Sequence, residues 1–253
     1  MINICFAGVT GWTAPPILAA IDAAEDLTLT SGVSRSAAGQ GAVYATAAEA
    51  LAAAPADVLV DFTSAAAVQG NARAAIEAGV HVVIGTSGLT AGDYAEIDRL
   101  ARHRGVGVIA AGNFSLTAAM CGAAALLAAR HLPSWEVIDY AKAAKPDAPS
   151  GTSRELAERL DEVRPPALGV PLDEVLGARE ARGATVGGTQ VHSLRLPSFT
   201  VSTEAVFAAD GERLSIRHDA GESAAPYVAG TLLAIRAVPG RVGLTRGLDQ
   251  LLG

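Results

Sequence analysis

Cysteine, aromatic residues and clustered positive charge are all scarce in this chain of 253 residues. There are two cysteines, aromatics make up 4%, and the net charge is −7. Cys5 and Cys121 stand in apolar stretches that read as a strand and a helix, which suits reduced, buried thiols and argues against a disulfide framework. The five histidines show no metal-ligand spacing, so no metal is expected. Without a Lys/Arg run, nucleic acid is a poor partner, although one cleft can still gather positive charge for an anionic ligand. Long hydrophobic runs are missing as well. "AAMCGAAALLAA" is long enough only for a core helix, so no membrane association is expected. The opening "INICFAGV" is too short, and too uncharged at its front, for a signal peptide; the expectation is a soluble, cytoplasmic protein.

What the chain does have is apolar mass: half its residues are hydrophobic, enough for one large domain or two smaller ones. Through residue 113 strands and helices alternate, from "INICFAGV" to "VGVIAAGNFS". Val and Ile runs without alternation indicate strands buried on both faces, as in a Rossmann-type, doubly wound parallel sheet of the α/β class. Beyond Phe114 the pattern changes to alternating strands, "VHSLRLPS", "VSTEAVFAA" and "ERLSIRHD", with a turn at Asp210-Gly211. This part reads as an α+β domain with a mixed, mostly antiparallel sheet. The expected division is 1–113 with 222–253 for dinucleotide binding, and 114–221 for substrate binding and oligomerisation. The helix in "PYVAGTLLAIRAV" is expected to pack back onto the first domain.

"GVTGWTAPP" places Gly8 and Gly11 directly after the first strand, with Ala14 where a third glycine would stand. The first glycine allows a tight turn, the second lets a phosphate approach the backbone, and a small third residue permits close helix–strand packing. Pro15 and Pro16 cost little in a first helical turn, whose free N–H groups suit a pyrophosphate. At the end of the second strand, where an acidic residue would bind a ribose 2′-OH, stand Ser34 and Arg35. A hydroxyl and a guanidinium suit a 2′-phosphate, hence NADPH, with NADH as the alternative cofactor. A solvated surface arginine is the plainer reading of Arg35.

In "KPDAPSGTSREL", Thr152 and Glu155 have capping-box spacing, with Leu156 and Leu160 on the inner face. Amides near Gly151 and Thr152 can face a carboxylate, with Lys145 approaching from the other side. For "SGT" alone, a plain capped helix is the preferred reading.

The whole string "KPDAPSGT" (145–152), with "VDFTS" (60–64), "VIGTSG" (83–88), "AGNFS" (111–115), "HSLRLP" (192–197) and "GERLSIRHD" (211–219), resembles the dihydrodipicolinate reductase family over essentially the entire chain. The resemblance implies hydride transfer from NAD(P)H to a cyclic, imine-like substrate bearing carboxylates, and a homotetramer built through the second domain's sheet. It implies that Gly8, Val9, Thr10, Gly11, Trp12 and Thr13 hold the pyrophosphate, and Ser34 and Arg35 the adenosine ribose. Phe62 and Thr63 join the cofactor site, and Gly85, Thr86, Ser87, Ala111, Gly112, Asn113 and Phe114 line the nicotinamide. Lys145, Ser150, Gly151 and Thr152 are the implied substrate contacts.

The departures are concentrated. The family's His-His pair, credited with protonation and carboxylate binding, is Ala141-Lys142 here. A further family histidine falls at Ser202-Thr203, and Trp12 stands where an arginine is usual. A general acid is worth roughly two to four orders of magnitude in rate, so the lost histidine matters unless the acceptor is already a protonated imine. Lys145, Lys142 and Tyr140 are the remaining donors, and the lysines are taken as the catalytic candidates. His192 and Arg195, three apart on a strand, should point to opposite faces and not act together.

Three readings follow. The first is an NADPH-dependent reductase acting on a cyclic imine or unsaturated acid other than the lysine-pathway intermediate. The second is an authentic 4-hydroxy-tetrahydrodipicolinate reductase of lysine biosynthesis, with Lys142 replacing the histidine. The third is an NADP(H)-binding protein without turnover.

Overall fold

A computed structural model describes residues 1–252. The chain runs β1 (Ile2–Ala7), α1 (Ala14–Asp22), β2 (Leu27–Val33), β3 (Val43–Tyr44), α2 (Ala47–Ala53), β4 (Val58–Asp61), α3 (Ala65–Glu77), β5 (His81–Ile84), α4 (Ala91–Arg104) and β6 (Gly107–Ala110). It continues with α5 (Leu116–Ala129), β7 (Ser134–Ala141), α6 (Gly151–Val163), β8 (Ala184–Val186), β9 (Thr189–Arg195), β10 (Val201–Ala209) and β11 (Glu212–Asp219). It ends with α7 (Tyr227–Ala237) and β12 (Gly243–Arg246). Two compact units result: Met1–Leu116 with the stretch from Ser223 on, and Thr117–Glu222. No helix among the described residues is long and apolar enough to cross a membrane.

The first unit holds a seven-stranded sheet ordered β12-β6-β5-β4-β1-β2-β3, parallel throughout. Every residue of β4 and β6 is buried, as strands covered by helices on both faces must be. Strand order reverses between β1 and β4, and the chain leaves those strands at Gly8 and Phe62. That is the switch point at which such sheets bind ligands. Pro15 and Pro16 fall in the first turn of α1, and α7 packs in this unit against α1. Cys5 is buried in β1, and burial pushes its thiol pKa up. Cys121 is only half-buried, and no disulfide joins the two.

His81 supplies a pH-sensitive bond to this sheet. Its Nδ1 accepts the N–H of Gly107, 2.8 Å away, at the start of β6. Burial pushes the imidazole pKa down, opposed in part by the Asp57 charge. The fold therefore favours neutral His81. That contribution is complete above the ordinary histidine value of 6.5 and fades as pH falls through the lower folded value. Melting scans should show the Tm dropping by about 2–4 °C between pH 7 and 5, the scale of one hydrogen bond in a chain this size. His81→Gln should flatten that interval, and an unchanged slope in the variant would assign the effect to other groups.

In the second unit the order is β11-β10-β7-β9-β8. All pairs are antiparallel except β7–β9, which run parallel and are joined by a crossover through α6. Strand β7 alternates strictly between half-buried and buried residues. Its inner residues, Trp135 and Val137, pack with Phe207, Leu156 and Leu160. The Asp210-Gly211 turn forms as expected, with Gly211 at φ 81°. Strands β3, β8 and β12 are additions to the sequence reading.

Candidate functional site

The first unit carries a cavity of about 350 Å³ at its switch point. Gly8, Thr10, Gly11, Ser34, Arg35, Phe62, Thr63, Ser64 and Asn71 are among its lining residues. Gly8 has φ 96°, and a Cβ there would run into the Phe62 carbonyl. A Cβ on Gly11 would lie 3.1 Å from the Gly8 oxygen. Both glycines thus keep backbone against backbone and leave the space above the turn open. At the far side Ser34 Oγ lies 3.0 Å from Thr10 Oγ1 and 3.1 Å from Ser36 Oγ, a row of hydroxyls beside the exposed Arg35. No lining residue is acidic. A bare-backbone turn, a hydroxyl row and one guanidinium fit a dinucleotide with a ribose phosphate.

Beneath this cavity lies Asp61, wholly buried at the end of β4. Its Oδ1 accepts from the Thr63 amide (3.0 Å), Thr63 Oγ1 (2.7 Å) and Thr86 Oγ1 (2.6 Å), while Asn71 Nδ2 donates to Oδ2 at 2.8 Å. A buried carboxylate needs such a full set of donors, and this one fixes Thr63 and Thr86. Phe62 is held between Phe6 (6.0 Å) and Phe114 (5.5 Å), and the absent side chain of Gly85 makes room for its ring.

The remaining expected cofactor residues are placed less directly. Thr13, Ala111 and Phe114 are buried, and the Asn113 side chain accepts the Ser115 amide. Trp12 is 65% exposed, with its ring edge-on to Tyr227. Val9 packs toward Gly32. Ser87 and Gly112, like these, do not line the cavity.

In the second unit, Lys142 is exposed and Lys145 Nζ pairs with Asp147 Oδ1 at 2.7 Å. The Lys145 amide closes a turn onto the Lys142 carbonyl, 3.0 Å away, which sets the two lysines in one loop. Helix α6 starts at Gly151, with Ser150 as its cap residue. The expected capping box is therefore displaced: Thr152 lies inside the first turn. Ser150 is 2% exposed, and both its amide and its hydroxyl go to Asp139, at 2.9 and 2.6 Å. Both bonds brace the loop internally. Gly151 and Thr152, half-buried, begin the helix above it.

The Tyr140 hydroxyl is engaged within the second unit. It donates to Glu204 Oε2 at 2.9 Å, and burial together with that carboxylate pushes the phenol pKa up. Arg217 stacks on its ring at 4.7 Å. His192 and Arg195 do part company: His192 bonds Glu136 at 2.6 Å, and Arg195 pairs with Asp139 at 2.8 Å. Glu136 and His192 line a larger cavity of about 570 Å³ with Arg182, Ile138 and Val206. In the β7 alternation Glu136 shares the half-buried side with Ile138 and Tyr140, whereas Asp139, which braces the loop, belongs to the buried set.

Asp61 and Asp139 went unrecognised in the sequence. Asp61 ends an apolar strand and Asp139 falls on the buried side of β7, and a charge in such a place must have donors waiting.

Comparison with known proteins covers both units. The model for "Dihydrodipicolinate reductase, N-terminus" matches residues 2–114, and its C-terminal counterpart matches 114–252. A 4-hydroxy-tetrahydrodipicolinate reductase from Mycolicibacterium smegmatis is 35% identical over 246 residues, 97% of this chain and 96% of the relative. One from Moorella thermoacetica is 42% identical over 197 residues, 78% and 73% of the two chains. Among solved structures, a dipicolinate-bound dihydrodipicolinate reductase from Paenisporosarcina sp. TG-14 superposes with a TM-score of 0.78 at 26% identity, covering 99% of each chain.

Proposed function

The chain belongs to the dihydrodipicolinate reductase family, an NAD(P)H-dependent oxidoreductase acting on a C=N bond, and on that premise we propose that it uses NADPH to reduce a cyclic imine or conjugated acid carrying a carboxylate. NADPH supplies the hydride when bound. The observation that supports the reading best is the Lys145–Thr152 loop: a segment that carries the Lys145–Asp147 pair into a helix N-terminus and is braced from below by a buried carboxylate. Gly8 and Gly11 would admit the pyrophosphate to the backbone, while Ser34, Ser36 and Arg35 would meet a 2′-phosphate with hydroxyls and charge instead of repulsion. Lys145 would hold a substrate carboxylate, and Lys142 or Lys145 would deliver the proton that follows the hydride.

Two substrate assignments have a specific observation behind each. The curated relatives, matched over nearly the full chain, favour 4-hydroxy-tetrahydrodipicolinate itself. Ala141, fully buried, and Lys142, exposed, favour a different ring, since one position keeps nothing of a histidine's polarity and the other exchanges it for a flexible cation. The test is cofactor oxidation with 4-hydroxy-tetrahydrodipicolinate and a panel of cyclic imino acids, each with NADPH and NADH. Turnover of the first compound assigns the authentic reaction; turnover only of others assigns an altered one. Silence across the panel would sink the proposal, and equal efficiency with NADH would remove the role given to Arg35. The same reading expects a homotetramer, to be checked by light scattering.

A further inference from the structure

The loop between β7 and α6 has no secondary structure of its own, yet its far end is tied at several points to one buried group. Asp139 is fully enclosed on the inner side of β7. Its carboxylate accepts the Ser150 amide and hydroxyl, Ser153 Oγ at 3.2 Å, Ser193 Oγ at 3.0 Å and Arg195 Nη2 at 2.8 Å. Ser153 Oγ in turn lies 2.8 Å from Thr203 Oγ1. Burial pushes this carboxyl's pKa up, and the Ser150 and Arg195 donors more than reverse it, so the group is held ionised below the ordinary range.

Arg195 has a second attachment. The Nη2 that meets Asp139 also donates to the Asp147 carbonyl at 2.6 Å, while Nη1 bonds the Leu194 carbonyl at 3.0 Å and fixes the plane of the guanidinium. Asp147 and Ser150 therefore bracket Ala148-Pro149, one by its carbonyl and the other by its amide, on a single ion pair. The arrangement is not optimised for packing alone, because Arg195 Nε is buried without a partner. The two hydrogens of one nitrogen, Nη2, serve both groups, and the planar guanidinium, held at Nη1 by the Leu194 carbonyl, sets the directions in which they point.

We infer that the Asp139–Arg195 pair is the positioning element of the Lys145–Thr152 loop, holding its backbone at the angle from which Lys145 and the first amides of α6 meet an anionic substrate. The inference rests on the proposed reading that this loop binds substrate. Neither residue touches substrate; both act through Asp147 and Ser150. Ionised Asp139 is the form that accepts all five donors, so the loop's geometry is built on that charge.

Arg195→Lys tests this, because it keeps the positive charge beside Asp139 and removes the fork. Hydrogen exchange over 145–150 should accelerate at least tenfold. The KM for the accepted substrate should rise tenfold or more, as should the Kd for dipicolinate as the binding probe. The KM for NADPH should stay within twofold. Ser150→Ala, which leaves the ion pair whole, should move the same quantities in the same direction, less far, and serves if Arg195→Lys fails to fold. Unaltered exchange in the loop would overturn the inference. So would a loosened loop with unchanged substrate KM and a lowered Tm, the mark of a purely structural pair. Failure of the proposed function would already show in the native protein, as neither turnover of the panel nor binding of dipicolinate, and the exchange comparison would still decide whether the pair sets the loop.

Discussion

Lys145→Ala should lower kcat/KM by about two to four orders of magnitude while the affinity for NADPH stays within twofold. Lys145 is a three-quarters buried cation that pairs with Asp147 inside its own loop. Removing it takes away a charge-assisted contact to a substrate carboxylate, worth about 1.5–3 kcal/mol, and with it a candidate proton donor. The two contributions separate with Lys145→Arg, which keeps the charge but is too weak an acid to donate. If Lys145 supplies the proton, Lys145→Arg should recover most of the KM and little of kcat; if Lys142 supplies it, both should recover. Stopped-flow traces of cofactor oxidation, with NADPH binding followed by fluorescence, give the two constants separately. Full activity in Lys145→Ala would remove the substrate role of the loop altogether.

Gly8→Ala should be the most damaging single methyl in the first unit. The position needs φ 96°, and the added carbon would press on the Phe62 carbonyl, part of the neighbouring strand's exit. Backbone strain of about 1–3 kcal/mol is expected from the conformation alone. The clash adds a displacement of the turn through which the pyrophosphate would approach. NADPH affinity should fall at least a hundredfold, roughly 2.7 kcal/mol. Gly79→Ala provides the control, since Gly79 also has positive φ (76°) but open space around it. It should lower the Tm and leave cofactor binding alone. Calorimetric titration of both variants with NADPH checks this; equal losses in the two would reduce the effect to conformational strain.

Much of this arrangement could be read from residue patterns, for reasons that are local. Unbroken "VLVD" and "HVVI" runs can be buried only between two layers of helix, which forced the parallel sheet. Alternation in "VHSLRLPS" and "VSTEAVFAA" likewise announced strands with two different faces. The glycine turn was legible because its chemistry lies within a few residues of sequence. The bracing carboxylates were not, since the donors that justify Asp61 and Asp139 lie up to 25 and 56 residues away. The capping box at Thr152 and Glu155 failed for the same reason. Its spacing was sound, but a distant carboxylate claimed Ser150 and moved the helix start two residues upstream. Strands of two to four residues, such as Val43–Tyr44 and Gly243–Arg246, are too brief to show any period.

The parallel pairing of β7 with β9 limits how such a chain could be redirected to a new acceptor. Everything between those strands belongs to one crossover whose entrance, residues 142–150, is pinned at Asp147 by Arg195 and at Ser150 by Asp139, the two halves of one ion pair. Lengthening that entrance would pull on the sheet's register as well as on the bound molecule. On the proposed reading, remodelling the accepted ring is therefore a matter of exchanging the exposed side chains of Lys142, Ala143 and Ala144, where two small groups leave room to build and no side-chain bond of the brace needs to be cut.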